Sequence, residues 1–198
     1  MRYTGPKLKI LRRLNLQKLP GLTQKSLKNF KESSKKQSLY SIRLMEKQKL
    51  RFNYGLTHHQ FLNYVKRAQR TSGSTGENLI KFLESRFDNI VFRLKLAPTI
   101  NAARQLITHG HFEINKKKVT IPSYECSVND EISIKAKSKK ILVNLLEKNN
   151  DNNNSFNTKE KKLPNFLLWD ENRFIGTISQ EISLKDPVIQ QYFKQLNV

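Results

Sequence analysis

The feature that most constrains this chain is a change of hydrophobic period in its middle. Leu79, Ile80, Leu83, Phe87, Ile90, Val91 and Leu94 recur every three or four residues, the repeat of a helix with one buried side. Beyond His111 the repeat shortens to two, through Phe112, Ile114, Val119 and Ile121, which describes a hairpin. Helices followed at once by antiparallel strands read as an α+β fold.

Ser72-Gly73-Ser74-Thr75-Gly76 breaks the chain ahead of the helical run. Ser74 with Glu77 three residues on forms a capping-box pattern, and the helix is expected to continue unbroken to about Leu94. Arg86 and Arg93, seven apart, then share an exposed face. Pro98 punctuates the chain, Thr99 caps a shorter helix through Thr108, and Gly110 stops it. On that helix Ala103, Leu106 and Ile107 face inward, while Arg104 and Gln105 lie towards the polar side. The hairpin turn is Asn115-Lys116-Lys117-Lys118, and Asn129-Asp130 leads into a strand carrying Ile132 and Ile134.

Upstream, residues 41–52 place Ile42, Met45, Lys49 and Phe52 along one side of a helix that Gly55 ends. Thr57 caps the next helix, whose buried side is Phe61, Leu62, Val65 and Ala68. Downstream, residues 138–148 suggest a short helix, and residues 149–162, centred on Asn152-Asn153-Asn154, a flexible insertion. Phe166, Leu168, Phe174, Ile175 and Ile178 suggest short strands, with Trp169 as core, and Asp186-Pro187 opens a last helix. The expected layout is a basic extended arm over 1–40, a helical domain over 41–85, a two-helix and hairpin unit over 86–148, the insertion, and 163–198 returning to the helical domain.

Charge narrows the partners. The 198 residues carry 37 Lys and Arg against 16 Asp and Glu, a formal charge of +21. Residues 1–70 hold 18 of those basic side chains and only two acidic ones. Self-repulsion of this size works against a compact fold unless a polyanion neutralises it, nucleic acid first and an anionic membrane surface second. Cys126 is the only cysteine, so no internal disulfide and no cysteine zinc cluster can form, which points to a reducing compartment. No apolar run approaches the roughly 20 residues of a membrane span. The start shows neither a secretory signal nor a Ser/Arg-rich leader, so synthesis inside an organelle is the expectation if the protein works in one.

Two helices joined by a tight turn also describe a helix-turn-helix that reads DNA. Here the second helix offers only Asn101, Arg104 and Gln105, beside the lysines of the hairpin. That distribution suits backbone and shape recognition of folded RNA better than base-edge reading. Gly73-Ser74-Thr75-Gly76 is either a phosphate cradle or a plain loop and cap. The pairs His58-His59 and His109-His111 lack further ligands for a metal. Glu84 and Asp88, one turn apart, read as a solvated, salt-bridged surface rather than a catalytic pair. No nucleophile relay is ordered in the sequence, and no enzyme activity, metal or cofactor is expected.

Arg86-Phe87-Asp88-Asn89-Ile90-Val91-Phe92-Arg93-Leu94, followed by Thr99-Ile100-Asn101-Ala102-Ala103-Arg104-Gln105-Leu106-Ile107-Thr108-His109, resembles the RNA-binding core of the ribosomal protein S-four family of the bacterial-type small subunit. Ile121-Pro122-Ser123-Tyr124 and Arg2-Tyr3-Thr4-Gly5-Pro6 match further blocks of that family. The stretch from Glu46 to Thr57, and Gly73 to Gly76, resemble its chloroplast version. The resemblance implies a primary binder of the 5′ domain of 16S-type rRNA that nucleates assembly of the small ribosomal subunit. It also implies a neighbour, ribosomal protein S-five, whose contact is linked to decoding accuracy. A plastid ribosome is the expected location, with a bacterial-type cytoplasm as alternative.

The sequence departs from the family pattern in three places. Residues 1–60 hold no cysteine, which excludes the four-cysteine zinc site of some relatives. Lys116 stands where Asn-Gly is usual, which disfavours a tight left-handed turn and predicts a longer or distorted one. The insertion and the Gln190-Gln191-Tyr192-Phe193 tail differ from the family's acidic-tyrosine ending.

The expected RNA contacts follow. Arg2, Lys7, Lys9, Arg12, Arg13, Lys35, Lys36, Arg43, Lys47, Lys49 and Arg51 would neutralise phosphates. Tyr3 and Tyr40 would stack on unpaired bases. Arg86, Asn89, Arg93, Thr99, Asn101, Arg104, Gln105, Thr108 and His109, with Lys116, Lys117 and Lys118, would fix orientation. The competing readings are an RNA-modifying enzyme using the same module for targeting, and a membrane-surface or DNA-packaging protein driven by charge alone.

Overall fold

Residues 5–27, 38–139, 163–170, 173–184 and 186–195 are described by the computed structural model. They form an α+β fold: helices α1 (Lys7–Arg13), α2 (Leu39–Asn53), α3 (His58–Arg70), α4 (Thr75–Glu84), α5 (Phe87–Arg93) and α6 (Ile100–Thr108) precede the strands. The strands are β1 (Phe112–Ile114), β2 (Lys117–Lys118), β3 (Glu131–Ile134), β4 (Leu167–Asp170) and β5 (Ile175–Ile178), and α7 (Pro187–Gln195) closes the chain. The expected 138–148 helix lies almost wholly outside the described residues, which show a single 3-10 turn at Ala136–Ser138. The 149–162 insertion also lies outside them.

The first departure from expectation is the arm. Residues 7–27 are not an extended basic strap, because Ile10, Leu11, Leu14, Leu16, Leu19, Leu22 and Leu27 are buried in the main core. Asn15, at φ +52°, ends α1 after two turns, and the leucines beyond it wrap rather than continue the helix. Gly21 makes this possible. A Cβ there would stand 2.0 Å from the Asn53 carbonyl oxygen, so only glycine can pass between the end of α2 and the start of α6, where its own carbonyl accepts from the Ile100 N–H at 3.1 Å.

Helix ends follow simple chemistry. Ser38, Thr57 and Thr99 each accept a backbone N–H three residues on, and Thr57 with Gln60 forms a full capping box. After α2, Gly55 lies at φ +59°; its N–H donates to the Phe52 carbonyl and that of Leu56 to the Arg51 carbonyl, a Schellman closure. The same pair of bonds ends α1, α5 and α6, with Asn15, Lys95 and Gly110 in the left-handed position. Ser74 departs from expectation: it stands at the start of α4 but makes no side-chain cap. Asn78 instead reaches back to the carbonyls of Thr71 and Ser72 at 3.2 and 3.0 Å.

The long helix expected to Leu94 is two helices. Ser85 and Arg86 break it because the segment after the hairpin takes over the backbone there. Cys126 N–H donates to Ser85, while Phe87 and Asp88 donate to Tyr124 and Pro122, all within 2.8–3.0 Å. A competing non-local partner for those groups outweighs helical continuity, although the side-chain pattern runs straight through.

The five strands form one antiparallel sheet in the order β2-β1-β3-β5-β4. Phe112 and Ile114 of β1, with Ile132 and Ile134 of β3, are buried. Phe112 meets Phe87 edge-on at 6.1 Å, tying the sheet to α5. Trp169 packs against the core and edge-on to Phe174 at 6.4 Å. The hairpin turn corrects the expectation of a longer loop: Ile114 pairs directly with Lys117, leaving Asn115 and Lys116 as the whole turn at φ +49° and +64°. Both residues in the left-handed region are what a type I′ turn requires. Asn115 holds it by donating to Asp130 at 2.8 Å and accepting from the Glu131 N–H at 2.9 Å.

Candidate nucleic-acid interface

The arginines expected on an exposed face are inside the molecule. Arg86, Arg93 and Arg104 are 5–8% exposed, and each is paired with a buried carboxylate. Asp88 accepts from Arg86 Nε and Nη2 at 3.0 and 2.9 Å and from Arg104 Nε at 2.6 Å. Arg104 spends its remaining donors on the carbonyls of Gly55 and Tyr54, at 2.5 and 2.8 Å. Arg86 Nη1 reaches the Tyr64 hydroxyl of α3 at 2.7 Å. Asn89 is buried as well and donates to Glu84.

Glu84 is the second hub. It is fully buried and accepts from Arg93 at 3.0 and 2.6 Å, from the Tyr54 hydroxyl at 2.6 Å and from Asn89 at 2.5 Å. Burial pushes its carboxyl up, but the Arg93 charge and these hydrogen bonds outweigh burial and hold it below the usual carboxylate range. Arg86 shows the mirror balance: burial lowers it, Asp88 and Tyr64 raise it further, and it remains a cation. Glu84 and Asp88 are therefore salt-bridged but not solvated, which corrects the surface reading.

The sequence carries no clear signal for this: the α5 run Phe87-Asp88-Asn89-Ile90-Val91-Phe92-Arg93 mixes four apolar residues with three polar ones, a pattern that fits a half-exposed helix equally well. Once the helix is packed on all sides its charges must find partners inside. With Tyr54 and Tyr64, these residues bind the end of α2 and the middle of α3 to α5 and α6. Arg67 adds an outer clasp from α3, pairing with Glu125 through both guanidinium ends and stacking over Phe82 at 4.2 Å.

The cations that face solvent form a different surface. Lys116, Lys117 and Lys118 are exposed at the hairpin tip. The Lys118 stem lies against Gly110, where an added Cβ would meet Cε at 2.4 Å, so the lysines stand beside the end of α6. Gln105, Thr108 and His109 are exposed there, and the His109 and His111 rings lie 6.0 Å apart. Asn101 and Thr99, half-buried, begin the same helix; a Cβ on Gly55 would sit 3.5 Å from Asn101 Oδ1. One face of α6, about 13 Å long at 1.5 Å per residue, thus runs from the corner at Gly55 to the hairpin lysines.

Further exposed or half-exposed cations stand on the first two helices: Lys7, Lys9, Arg12 and Arg13 of α1, and Arg43, Lys47 and Arg51 of α2. Tyr40 is 76% exposed at the start of α2. Lys49 is buried rather than offered to solvent. Arg2, Tyr3, Lys35 and Lys36 lie outside the described residues.

Comparison with known proteins identifies the family. Residues 2–84 match the ribosomal protein S4/S9 N-terminal domain family, and residues 85–132 match the S4 domain. The small ribosomal subunit protein uS4c of Oltmannsiellopsis viridis is 47% identical, covering 96% of this chain and 93% of that protein. Its counterpart in Marchantia polymorpha is 49% identical over 91% of this chain and 88% of the relative. The uS4 protein of Synechococcus sp. (strain JA-2-3B'a(2-13)) is 48% identical over 90% and 87%. With both family matches in order along the chain and relatives of this closeness spanning nearly its whole length, the chain belongs to the uS4 family of ribosomal proteins, which are structural components and not enzymes.

Proposed function

We propose that this chain is a structural constituent of a plastid small ribosomal subunit and binds the 5′ domain of 16S-type rRNA. It does so through the exposed cations of α1 and α2, the α6 face and the hairpin tip. The observation that carries this reading is the separation of its cations into two sets. Arg86, Arg93 and Arg104 pair with internal carboxylates, whereas the lysines of the hairpin and the arginines of α1 and α2 face solvent in a molecule of net charge +21. The inner set makes one body of the two family-matched segments, and the outer set is left for phosphates. Such a body would hold two parts of an rRNA junction in fixed relation, a means of nucleating assembly; ribosomal protein S-five is the expected neighbour in accuracy. The plastid-type relatives support the location, with a bacterial-type cytoplasm as alternative.

The test is binding of the purified chain to the 5′-domain junction and to a duplex of equal length, over a range of salt. The junction should be preferred, and replacing Lys116, Lys117 and Lys118 by Ser should flatten the log–log salt slope by roughly 2 to 3. Equal affinity for both RNAs would leave only a non-specific polycation.

A further inference from the structure

The two edges of the sheet differ. At one end β2 presents Lys117 and Lys118, both exposed, the kind of charge that keeps an edge from recruiting another chain. At the other end β4 reads Leu167-Leu168-Trp169-Asp170, without a lysine. Leu168 is 57% exposed, and among the described residues no strand lies beyond β4. Backbone hydrogen bonds alternate in direction along an antiparallel strand. The Ser179 N–H donates to the Phe166 carbonyl, while Ile178, opposite Leu167, uses its own N–H and carbonyl on Asp130 and Asn129. Phe166, Leu168 and Asp170 therefore turn their backbone groups to β5, and Trp169 turns its N–H and carbonyl to the open side.

Charge says what fits there. The outer face of the sheet aligns Glu113, Ser133, Ile175 and Asp170 in one row, and Glu131, Thr177 and Leu168 in the next. Among the strand residues of that face the one cation is Lys118, opposite Glu113 at the far edge. Arg173 stands 3.7 Å from Asp170 in an exposed pair, a link weak enough for another cation to replace. Three carboxylates on one face of a chain of net charge +21 disfavour phosphate and favour a basic protein.

We propose that the open edge of β4 docks an extended segment of a neighbouring protein of the small subunit, carrying an apolar side chain and, two residues on, a Lys or Arg. This goes beyond the RNA-binding reading and does not depend on which RNA the chain holds. The Trp169 backbone supplies the ladder, as in other strand additions. Side chains of the incoming strand alternate between the two faces of the sheet. The one beside Leu168 is apolar, because it withdraws a half-exposed leucine from water. The next on the same face lies beside Asp170 and is a cation, drawn also by the field of Glu131 and Glu113.

The experiment follows hydrogen exchange of the Trp169 amide in the purified full chain, by NMR, as the peptide Thr-Val-Thr-Lys-Thr-Val-Thr is added. Exchange should slow several-fold, and less when Glu replaces the peptide's Lys. Leu168→Lys, at an exposed position, should abolish the effect by guarding the edge. An unchanged Trp169 amide, or equal protection by the Glu peptide, overturns the proposal. In assembled small subunits a photocrosslinking residue in place of Leu168 should join an extended stretch of another subunit protein with the stated spacing. Crosslinks to rRNA, crosslinks to a segment without Lys or Arg, or none at all overturn it. Leu168→Lys should leave affinity for the 5′-domain junction unchanged; a several-fold loss would put RNA on this face and overturn the docking edge. Lack of junction preference in the wild type overturns the RNA reading alone, since the Trp169 test does not involve RNA.

Discussion

Arg104 of α6 donates through Nε to Asp88 of α5 at 2.6 Å, and both side chains are almost fully withdrawn from water. The remaining Arg104 donors fasten to the backbone of Tyr54 and Gly55. One guanidinium therefore joins three elements that are up to 50 residues apart in sequence. Removing it leaves Asp88 buried with part of its charge uncompensated. Arg104→Ala is expected to cost about 3–5 kcal/mol of folding stability, and Arg104→Lys most of that, because an ammonium cannot span the same three acceptors. Urea unfolding checks both. An RNA affinity loss without a stability loss would contradict this role.

Glu84 gives the fold an acid limit. Its folded-state pKa is depressed, so its ion pair contributes full stability above the unfolded value of about 4.5. That contribution is lost as pH falls through the lower folded value. The stability difference between wild type and Glu84→Gln should accordingly be large at pH 7 and shrink steadily below pH 4.5. Denaturant titrations across pH 3–7 measure it; a constant difference would mean Glu84 does not titrate in this range.

Lys116 pays a conformational cost at φ +64°. A left-handed conformation costs an L-residue roughly 1–2 kcal/mol, and glycine forgoes this while losing somewhat more chain entropy. Lys116→Gly should raise stability by about 0.5–1 kcal/mol and shift the thermal midpoint upward. The same change removes one exposed charge, so the salt slope of RNA binding should fall slightly while the fold improves.

Cys126 is buried, and desolvation, then the charges of Asp130 and Asp88, push its thiol pKa well up. The thiolate is the reactive form. The native chain should resist alkylation at pH 8, with labelling appearing only as denaturant unfolds it. Rapid labelling in native buffer would show that the 121–126 segment opens away from α5.

From residue 38 onward the amino-acid sequence by itself determined most of the element types and helix starts. Over the whole chain it determined the charge that requires a polyanion, although it did not show α1 within the basic N-terminal stretch. Period, caps and net charge are local or additive properties, and Thr57, Thr99, Gly55 and Gly110 act through neighbours a few residues away. Tertiary structure alone decided which cations are available. Arg86 and Gln105 look alike as polar positions on amphipathic helices, yet one is sealed against Asp88 and Tyr64 and the other faces water. The break at Ser85 was likewise decided at a distance, by Tyr124 and Cys126. A buried charge is tolerable only where an opposite one meets it, and that meeting depends on elements tens of residues apart packing together.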